Sequence, residues 1–308
     1  MQLITEAQVR ATLKLPEAVA ALREAFLQHG RGQGAMLARG RAAVQHGDKA
    51  LIVSAMGAAL PGSDVLGTKV YSSINGQFQF VITLFSATTG LPLATLEANE
   101  LTRLRTAAAT AVATDALAGA DAKVLALFGA GTQAKAHAEA LLPLRRFERV
   151  LVCARSGGAA FAAELSAAHG VPAEAVDAAT AAAAGDVIVT CTRAMEPLFD
   201  GKLVKPGAFV AAVGSSKPVA RELDDALLSR AALIAVEWLP AAEGEAGEFK
   251  RAAPGVIRPE RVAELGALLN EPPPRGPGDI TVYKSVGIGL EDVALAQLVF
   301  KRLQQEAA

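Results

Sequence analysis

The sequence predicts an α/β chain: a doubly wound parallel sheet, preceded by an α+β region whose own sheet is mostly antiparallel. Three observations carry this. After Lys123, apolar runs at 123–128, 149–154, 186–190, 208–213, 232–236 and 280–284 alternate with helical patterns, which is the rhythm of βαβ units. From Arg41 to Glu97, short strand patterns follow one another without helices between them, which favours antiparallel pairing. The glycines of Gly129-Ala-Gly131 stand where an apolar run gives way to a helical one.

The elements follow in order. Thr5 with Gln8 forms a capping box for a short helix, and Pro16 suits the first turn of a second helix reaching about Gln28. Gly30 to Gly40 reads as a glycine-rich loop. Ala50–Ala55, Leu66–Tyr71 and Phe80–Phe85 read as strands, and Thr88-Thr-Gly90 turns into a hairpin partner at 91–97. Asn99 is placed to cap a long helix through about Leu117. Glu271-Pro-Pro-Pro-Arg-Gly-Pro-Gly278 is a stiff loop before the last strand, and the final helix, about 290–305, has a broad apolar face.

Composition narrows the function. The chain has 308 residues, enough for two domains, and is 52% hydrophobic and 20% charged. A formal net charge of −1 argues against a nucleic-acid or membrane-surface partner. The start of the chain lacks a signal-peptide pattern, and no apolar run is long enough to span a bilayer without glycine or charge. Cys153 and Cys191 form no ligand pattern and suit a reducing compartment, so a cytoplasmic protein is expected. His29, His46, His137 and His169 form no spaced cluster, so no metal is expected, and His137 reads as a helix-surface residue.

The run Val124-Leu-Ala-Leu-Phe-Gly-Ala-Gly-Thr-Gln-Ala134 supplies the first chemistry. Strand, tight turn and helix start form a Rossmann dinucleotide fingerprint, with Ala134 as the small third residue. Gly129, Gly131, Thr132 and Gln133 would cradle a pyrophosphate on free helix N–H groups. The next strand ends in Arg155-Ser156, with no acid for a ribose 2′-hydroxyl. A cation and a hydroxyl suit a 2′-phosphate, so NADPH is favoured, with NADH the other candidate. Thr190 and Val213-Gly214-Ser215 stand at carboxyl ends of later strands, where ligands bind in such sheets.

Gly67-Thr-Lys-Val-Tyr71, Leu101-Thr-Arg-Leu-Arg-Thr-Ala-Ala-Ala109, Phe128–Ala134, Val213-Gly-Ser-Ser-Lys-Pro218 with Arg221-Glu-Leu223, and Tyr283-Lys-Ser-Val-Gly-Ile288 occur in that order. Together they resemble the ornithine cyclodeaminase/mu-crystallin family over nearly the whole chain. The resemblance implies a homodimer. Residues 1–116 plus 290–308 would form a substrate-binding and dimerisation domain, and 117–289 the NAD(P)-binding Rossmann domain. It also implies a small α-amino or α-imino acid as substrate. Lys69 and Arg105 match the family's carboxylate-binding motifs, and Arg41 is a third candidate with Arg39 an equally placed rival. Arg105 sits early in its helix, where a cation gains nothing from the dipole, so an anionic partner explains it better. The resemblance places Thr106 near the cofactor phosphate.

One departure bears on the reaction. Cyclodeaminases of the family carry an Asp shortly before the Pro of the Gly-to-Glu-Leu segment. Here Ser216 falls at that position, and a hydroxyl is no base near neutral pH without activation. The resemblance therefore points to ketimine reduction, with Lys69 and Ser216 as the catalytic candidates. The expected reaction is Δ1-pyrroline-2-carboxylate to L-proline, or its piperideine homologue to L-pipecolate. Alanine dehydrogenase, ornithine cyclodeaminase and an NADPH-dependent small-ligand binding protein are the alternatives, in that order.

Overall fold

The structure, a computed structural model, describes residues 1–306. Residues 307 and 308, the end of the expected 290–308 segment, lie outside the described residues. The chain divides into two compact units. One is Met1–Ala109 with the segment from Gly287 onward, and the other is Thr110–Val286. The boundaries thus fall at 109/110 and 286/287 rather than at the expected 116/117 and 289/290.

In chain order the elements are β1 (Gln2–Ile4), α1 (Glu6–Thr12), α2 (Leu15–Gly30), β2 (Ala35–His46), β3 (Lys49–Leu60), β4 (Val65–Ile74), β5 (Gln77–Ser86), β6 (Pro92–Glu97) and α3 (Asn99–Leu117). Then come β7 (Val124–Phe128), α4 (Thr132–Leu141), β8 (Arg149–Cys153), α5 (Gly158–His169), β9 (Ala173–Ala175), α6 (Ala178–Ala184), β10 (Val187–Thr190), β11 (Phe209–Ala212) and α7 (Asp225–Arg230). The chain ends with β12 (Leu233–Val236), α8 (Leu239–Glu245), α9 (Gly247–Lys250), β13 (Val262–Glu264), α10 (Leu265–Asn270), β14 (Thr281–Lys284) and α11 (Gly289–Glu306).

The first unit holds a six-stranded sheet in the order β1-β6-β5-β4-β3-β2, antiparallel except for the β1–β6 pair. Strand alternation makes the two faces unlike. Met56, Val65, Tyr71, Ile82, Leu84 and Leu96 are buried on the face that α11 covers. Val53, Val70, Ile74 and Val81 point the other way and are exposed. The expected loop 30–40 is only partly a loop. Ala35–Gly40 already belongs to β2, whose register slips between Leu37 and Gly40, and a bulge hides such a strand from pattern reading.

Thr5 and Gln8 form the capping box on α1 as expected. Asn99, by contrast, does not cap α3. Its Oδ1 accepts from the Phe80 N–H of β5. The carboxylate of Glu6 takes the capping role, accepting from the Asn99 N–H at 3.0 Å and the Glu100 N–H at 2.5 Å. A remote anion at a helix N-terminus satisfies orphan donors and meets the positive dipole end.

The second unit holds an eight-stranded sheet in the order β13-β12-β14-β11-β10-β7-β8-β9, with parallel pairing throughout. The central strands are continuous apolar runs because both sheet faces are covered. Leu125, Leu127, Val150, Val152, Val187, Val189, Val210 and Val282 are all fully buried. The edge strands β9 and β13 were not foreseen, because three residues are too few to show a pattern. Among the described residues no helix is long and apolar enough to cross a membrane.

Replacing Glu6 by Ala should remove the cap of α3 and lower stability by about 1 kcal/mol, read from urea or thermal unfolding. An unchanged midpoint would show that water serves those N–H groups equally well.

Candidate functional site

In the first unit, three cations meet two carboxylates beneath the sheet. Lys69 lies on β4, in register with Met56 on one side and Ile82 on the other, with its side chain only 1% exposed. Its Nζ donates to Thr102 Oγ1 of α3 and to Asp292 Oδ1 of α11, each at 2.8 Å. The Thr102 hydroxyl donates in turn to the Ala98 carbonyl, so towards Lys69 it can only accept. Phe80 of β5 places its ring 4.3 Å from Nζ. Arg105, also on α3, donates from Nη1 to Glu291 Oε2 at 2.8 Å and brings Nε within 3.5 Å of Asp292 Oδ1. Burial pushes the Lys69 ammonium down to about 8; Asp292 pulls it up, while Arg105 and Arg39 push it further down.

Arg39 is the third cation. Its Nη2 donates to the Gly287 carbonyl at 2.6 Å and its guanidinium packs on Met56 sulfur. Gly287 has φ +72°, and a Cβ there would come within 2.5 Å of Arg105 Nη1. Only glycine lets the chain pass so close to that guanidinium. Of the two arginines the sequence left as rivals, Arg39 therefore joins the cluster. Arg41 pairs with Ser54, Ser54 with Tyr71, and Tyr71 with Phe80, so it shares the Lys69 face one row along, where it is exposed. Tyr71, Phe78 and Phe80 form an aromatic group there, with ring centroids 5.2 to 6.1 Å apart. Thr106 is buried on α3, its hydroxyl donating to the Thr102 carbonyl.

In the second unit, β7 runs into the glycine turn. Gly129 has φ +118°, and a Cβ there would stand 2.9 Å from the Cys191 carbonyl oxygen. Its N–H donates to the Cys153 carbonyl, tying the ends of β7 and β8. Gly131 precedes α4 and offers no capping side chain, and the space where its Cβ would stand is open. Thr132 is exposed, and Gln133 Oε1 is buried with no hydrogen-bond partner. Uncapped N–H groups and open space at a helix N-terminus fit a dinucleotide pyrophosphate, while the unmet Gln133 Oε1, an acceptor, would need a hydroxyl or N–H donor rather than a phosphate oxygen. Arg155 and Ser156 follow β8 and are exposed, with no acid beside them before Gly157.

Thr190 closes β10 at its carboxyl end. It is fully buried, and its hydroxyl is committed to Glu222 Oε2 at 2.7 Å. The same carboxylate accepts from the Gly214 N–H and from the Thr192 N–H and hydroxyl. The Thr190 hydroxyl thus braces the end of β10. Val213 donates to the Thr190 carbonyl, and the Ser215 carbonyl accepts from Lys284 Nζ, which also pairs with Glu248. Ser216 is half-buried in the loop after β11. His137 is fully buried rather than at the helix surface, with Nδ1 against the Gln133 carbonyl and Nε2 against Thr110 Oγ1.

Sequence reading missed Glu222, Glu291 and Asp292. Two adjacent acids at the start of a helix with one apolar face read as a dipole-friendly first turn. Their burial is set by where α11 docks, which is a tertiary fact. Among the described residues no group of three or more His, Cys, Asp and Glu side chains could hold a metal ion.

The chain matches the ornithine cyclodeaminase/mu-crystallin family over residues 1–307, and it belongs to that family. It is 39% identical over 228 residues to an iminosuccinate reductase of Paracoccus denitrificans, covering 72% of this chain and 69% of the relative. The structure of a probable ornithine cyclodeaminase from Bordetella pertussis Tohama I superposes with TM-score 0.94 at 44% identity, covering 99% of this chain and 98% of the other. A Thermococcus litoralis Δ1-pyrroline-2-carboxylate reductase, solved with NADH and L-proline, superposes with TM-score 0.92 at 27% identity, covering 100% of this chain and 99% of the other.

In Gly129→Ala the turn should leave its φ +118° shape beside the Cys191 carbonyl, and the dissociation constant for NAD(P)H should rise about tenfold or more. Nucleotide fluorescence titration checks this, and unchanged affinity would remove the turn from the cofactor site.

Proposed function

We propose that this chain, an NAD(P)H-dependent oxidoreductase acting on a C=N bond, reduces an α-imino acid to the α-amino acid. Within that class the substrate is a cyclic ketimine acid. Δ1-Pyrroline-2-carboxylate would give L-proline, and its piperideine homologue L-pipecolate. The observation that carries this reading is the buried cluster around Lys69. Arg39, Lys69 and Arg105 face Glu291 and Asp292, which leaves one positive charge, enough for one carboxylate. The aromatic group of Tyr71, Phe78 and Phe80 beside Lys69 suits the methylenes of a ring.

The dinucleotide, when bound, supplies the hydride that reaches the imine carbon. The chain's own residues do the rest. Arg105 and Arg39 hold the substrate carboxylate, and Lys69 gives a proton to the nitrogen as the C=N bond becomes C–N. Ser216 offers a hydroxyl that can order a water. Gly129, Gly131, Thr132 and Gln133 seat the pyrophosphate. Val213, Gly214 and Ser215 line the cofactor. Arg155 and Ser156 meet a 2′-phosphate, so NADPH is used in preference to NADH. Two unpaired cysteines accord with a reducing compartment such as the cytoplasm.

A second reading has a specific basis. Arg41 lies on the Lys69 face and adds a cation that a second carboxylate would need. The Paracoccus relative is an iminosuccinate reductase. An acyclic imine, formed from oxaloacetate or pyruvate with ammonia, is therefore the rival substrate. Ornithine deamination is disfavoured by Ser216, which supplies no carboxylate where cyclodeaminases carry one.

The deciding assay follows NADPH absorbance with Δ1-pyrroline-2-carboxylate. NADH, pyruvate plus ammonia, oxaloacetate plus ammonia, and ornithine alone run beside it. Fast loss with the cyclic imine is expected. Loss only with a keto acid and ammonia would establish the second reading, and ammonia release from ornithine would overturn both. Lys69→Met should cut turnover by about 10²-fold or more while NADPH still binds. Because reduction needs the charged ammonium, the rate should fall as pH rises through about 8. Arg155→Ala should weaken NADPH about tenfold and leave NADH unchanged.

The protein is also proposed to be a homodimer that covers the exposed valine and isoleucine face of the first sheet. Val70→Asp, at the centre of that face, should convert a dimer to a monomer in analytical ultracentrifugation. A wild-type monomer would refute the proposal.

A further inference from the structure

An ammonium has three N–H donors. Two of those on Lys69 are committed, one to Thr102 Oγ1 and one to Asp292 Oδ1, each at 2.8 Å. The third has no oxygen or nitrogen acceptor among the described residues; the Phe80 ring, 4.3 Å from Nζ, is its other neighbour. Thr102 is neutral and Asp292 is not. Asp292 is fully buried in the first turn of α11, and its second oxygen, Oδ2, is buried with no hydrogen-bond partner. A carboxylate with one lone oxygen in an apolar interior is an expensive way to join a helix to a sheet, since well-packed apolar side chains often do so at least as well. Its presence calls for a task beyond packing.

We propose that Asp292 is a positioning residue: it fixes the Lys69 ammonium and keeps it charged, so that the one uncommitted N–H is delivered to the substrate nitrogen. The inference rests on the reductase reading given above. In the step, the imine carbon receives hydride with its electron pair, and the π pair of C=N moves to nitrogen. The new N–H bond forms as the Nζ–H bond breaks. Lys69 is left neutral and regains its proton from solvent, and one dinucleotide is oxidised per imine reduced.

The elements packed around Lys69 differ in charge. β2 presents Arg39, α3 presents Arg105 and Thr102, and α11 presents Asp292 and Glu291, the last engaged by Arg105. β3 presents Met56, and β5 presents Ile82 and the Phe80 ring, all uncharged. Two neighbouring arginines and burial favour the neutral amine, and Asp292 is the carboxylate in direct contact that opposes them. Its removal should therefore lower the pH at which Lys69 loses its proton.

The test reads that proton directly. Side-chain 15N NMR follows Lys69 Nζ against pH in the full-length protein, with the signal assigned by its loss in Lys69→Met. The wild-type signal should titrate near pH 8. In Asp292→Asn the midpoint should fall by about one unit or more, and the alkaline limb of kcat should move with it. Asp292→Glu keeps the charge, so its midpoint should stay within about half a unit while kcat drops through misplacement. Thr102→Val should leave the midpoint nearly in place. An unmoved midpoint in Asp292→Asn, or a kcat limb that does not follow it, overturns the proposal. If Asp292→Asn does not fold, Asp292→Glu decides: a midpoint displaced as far as one unit despite the retained charge overturns it. The NMR titration needs no substrate. A wild-type protein that titrates as described yet reduces no imine would sink the reductase reading and leave the role of Asp292 in Lys69 charging intact.

Discussion

The buried pair of Lys69 and Asp292 constrains the first unit more than any other contact. An ammonium 1% exposed and a carboxylate fully buried cannot be parted without leaving an uncompensated charge in an apolar interior. That ties β4 to the start of α11, elements separated by more than two hundred residues of chain. The close approach this demands is met by glycines. Gly289 lies so near the Gly57 backbone that a side chain on it would collide, and Gly287 lets Arg105 pass beside it. The segment that returns from the second unit is therefore fixed at its first few residues by charge and by the absence of Cβ atoms. α11 then covers the sheet face as its apolar stripe dictates.

The second unit solves a different problem with the same device. Parallel strands deliver loops to one edge of the sheet, and those loops must hold a fixed shape if they are to bind anything. Glu222 does this for β10 and β11, accepting four hydrogen bonds from Thr190, Thr192 and Gly214 on one buried carboxylate. Its own N–H donates to Glu248, and Glu248 pairs with Lys284, which reaches the Ser215 carbonyl. The chain of partners is nearly fully satisfied, the condition under which a buried polar network rigidifies rather than weakens a core. Glu237 repeats the arrangement nearby, accepting from Tyr283, Ser285 and the Val286 N–H at the end of β14.

Much of this was legible in the sequence, and the misses share a cause. Long apolar strands, the Gly129–Ala134 turn, the capping box of Thr5 and the hairpin at Thr88–Gly90 are local signals, and each stands where it was read. The cap of α3 is not legible in the sequence, because Asn99 is a good cap by type, while the group that serves is Glu6, remote in sequence. β2 was half hidden by its bulge. Burial of His137, Glu222 and Asp292 depends on what packs over them, and a single chain of letters carries no such information for polar residues. Arg39 and Arg41 could not be separated because both lie on one face of a strand, and only the register slip before Gly40 decides which enters the cluster.

The charge balance of the cluster links fold to chemistry. Buried cations attract an anionic ligand only to the extent that the protein leaves them unneutralised. Here two carboxylates from one turn of α11 cancel two of three cations. A site built only for affinity would have omitted Glu291 and Asp292. Keeping them weakens the hold on a carboxylate but lets a lysine remain charged beside two arginines, which burial and repulsion would otherwise forbid. A lysine that loses its proton near pH 8 is matched to giving up a proton near neutrality, because proton transfer is efficient when the donor's pKa lies close to the working pH. On the proposed reading, the cluster would trade binding strength for a usable proton. A reductase that must protonate nitrogen gains from that exchange, and a carrier that only binds gains nothing.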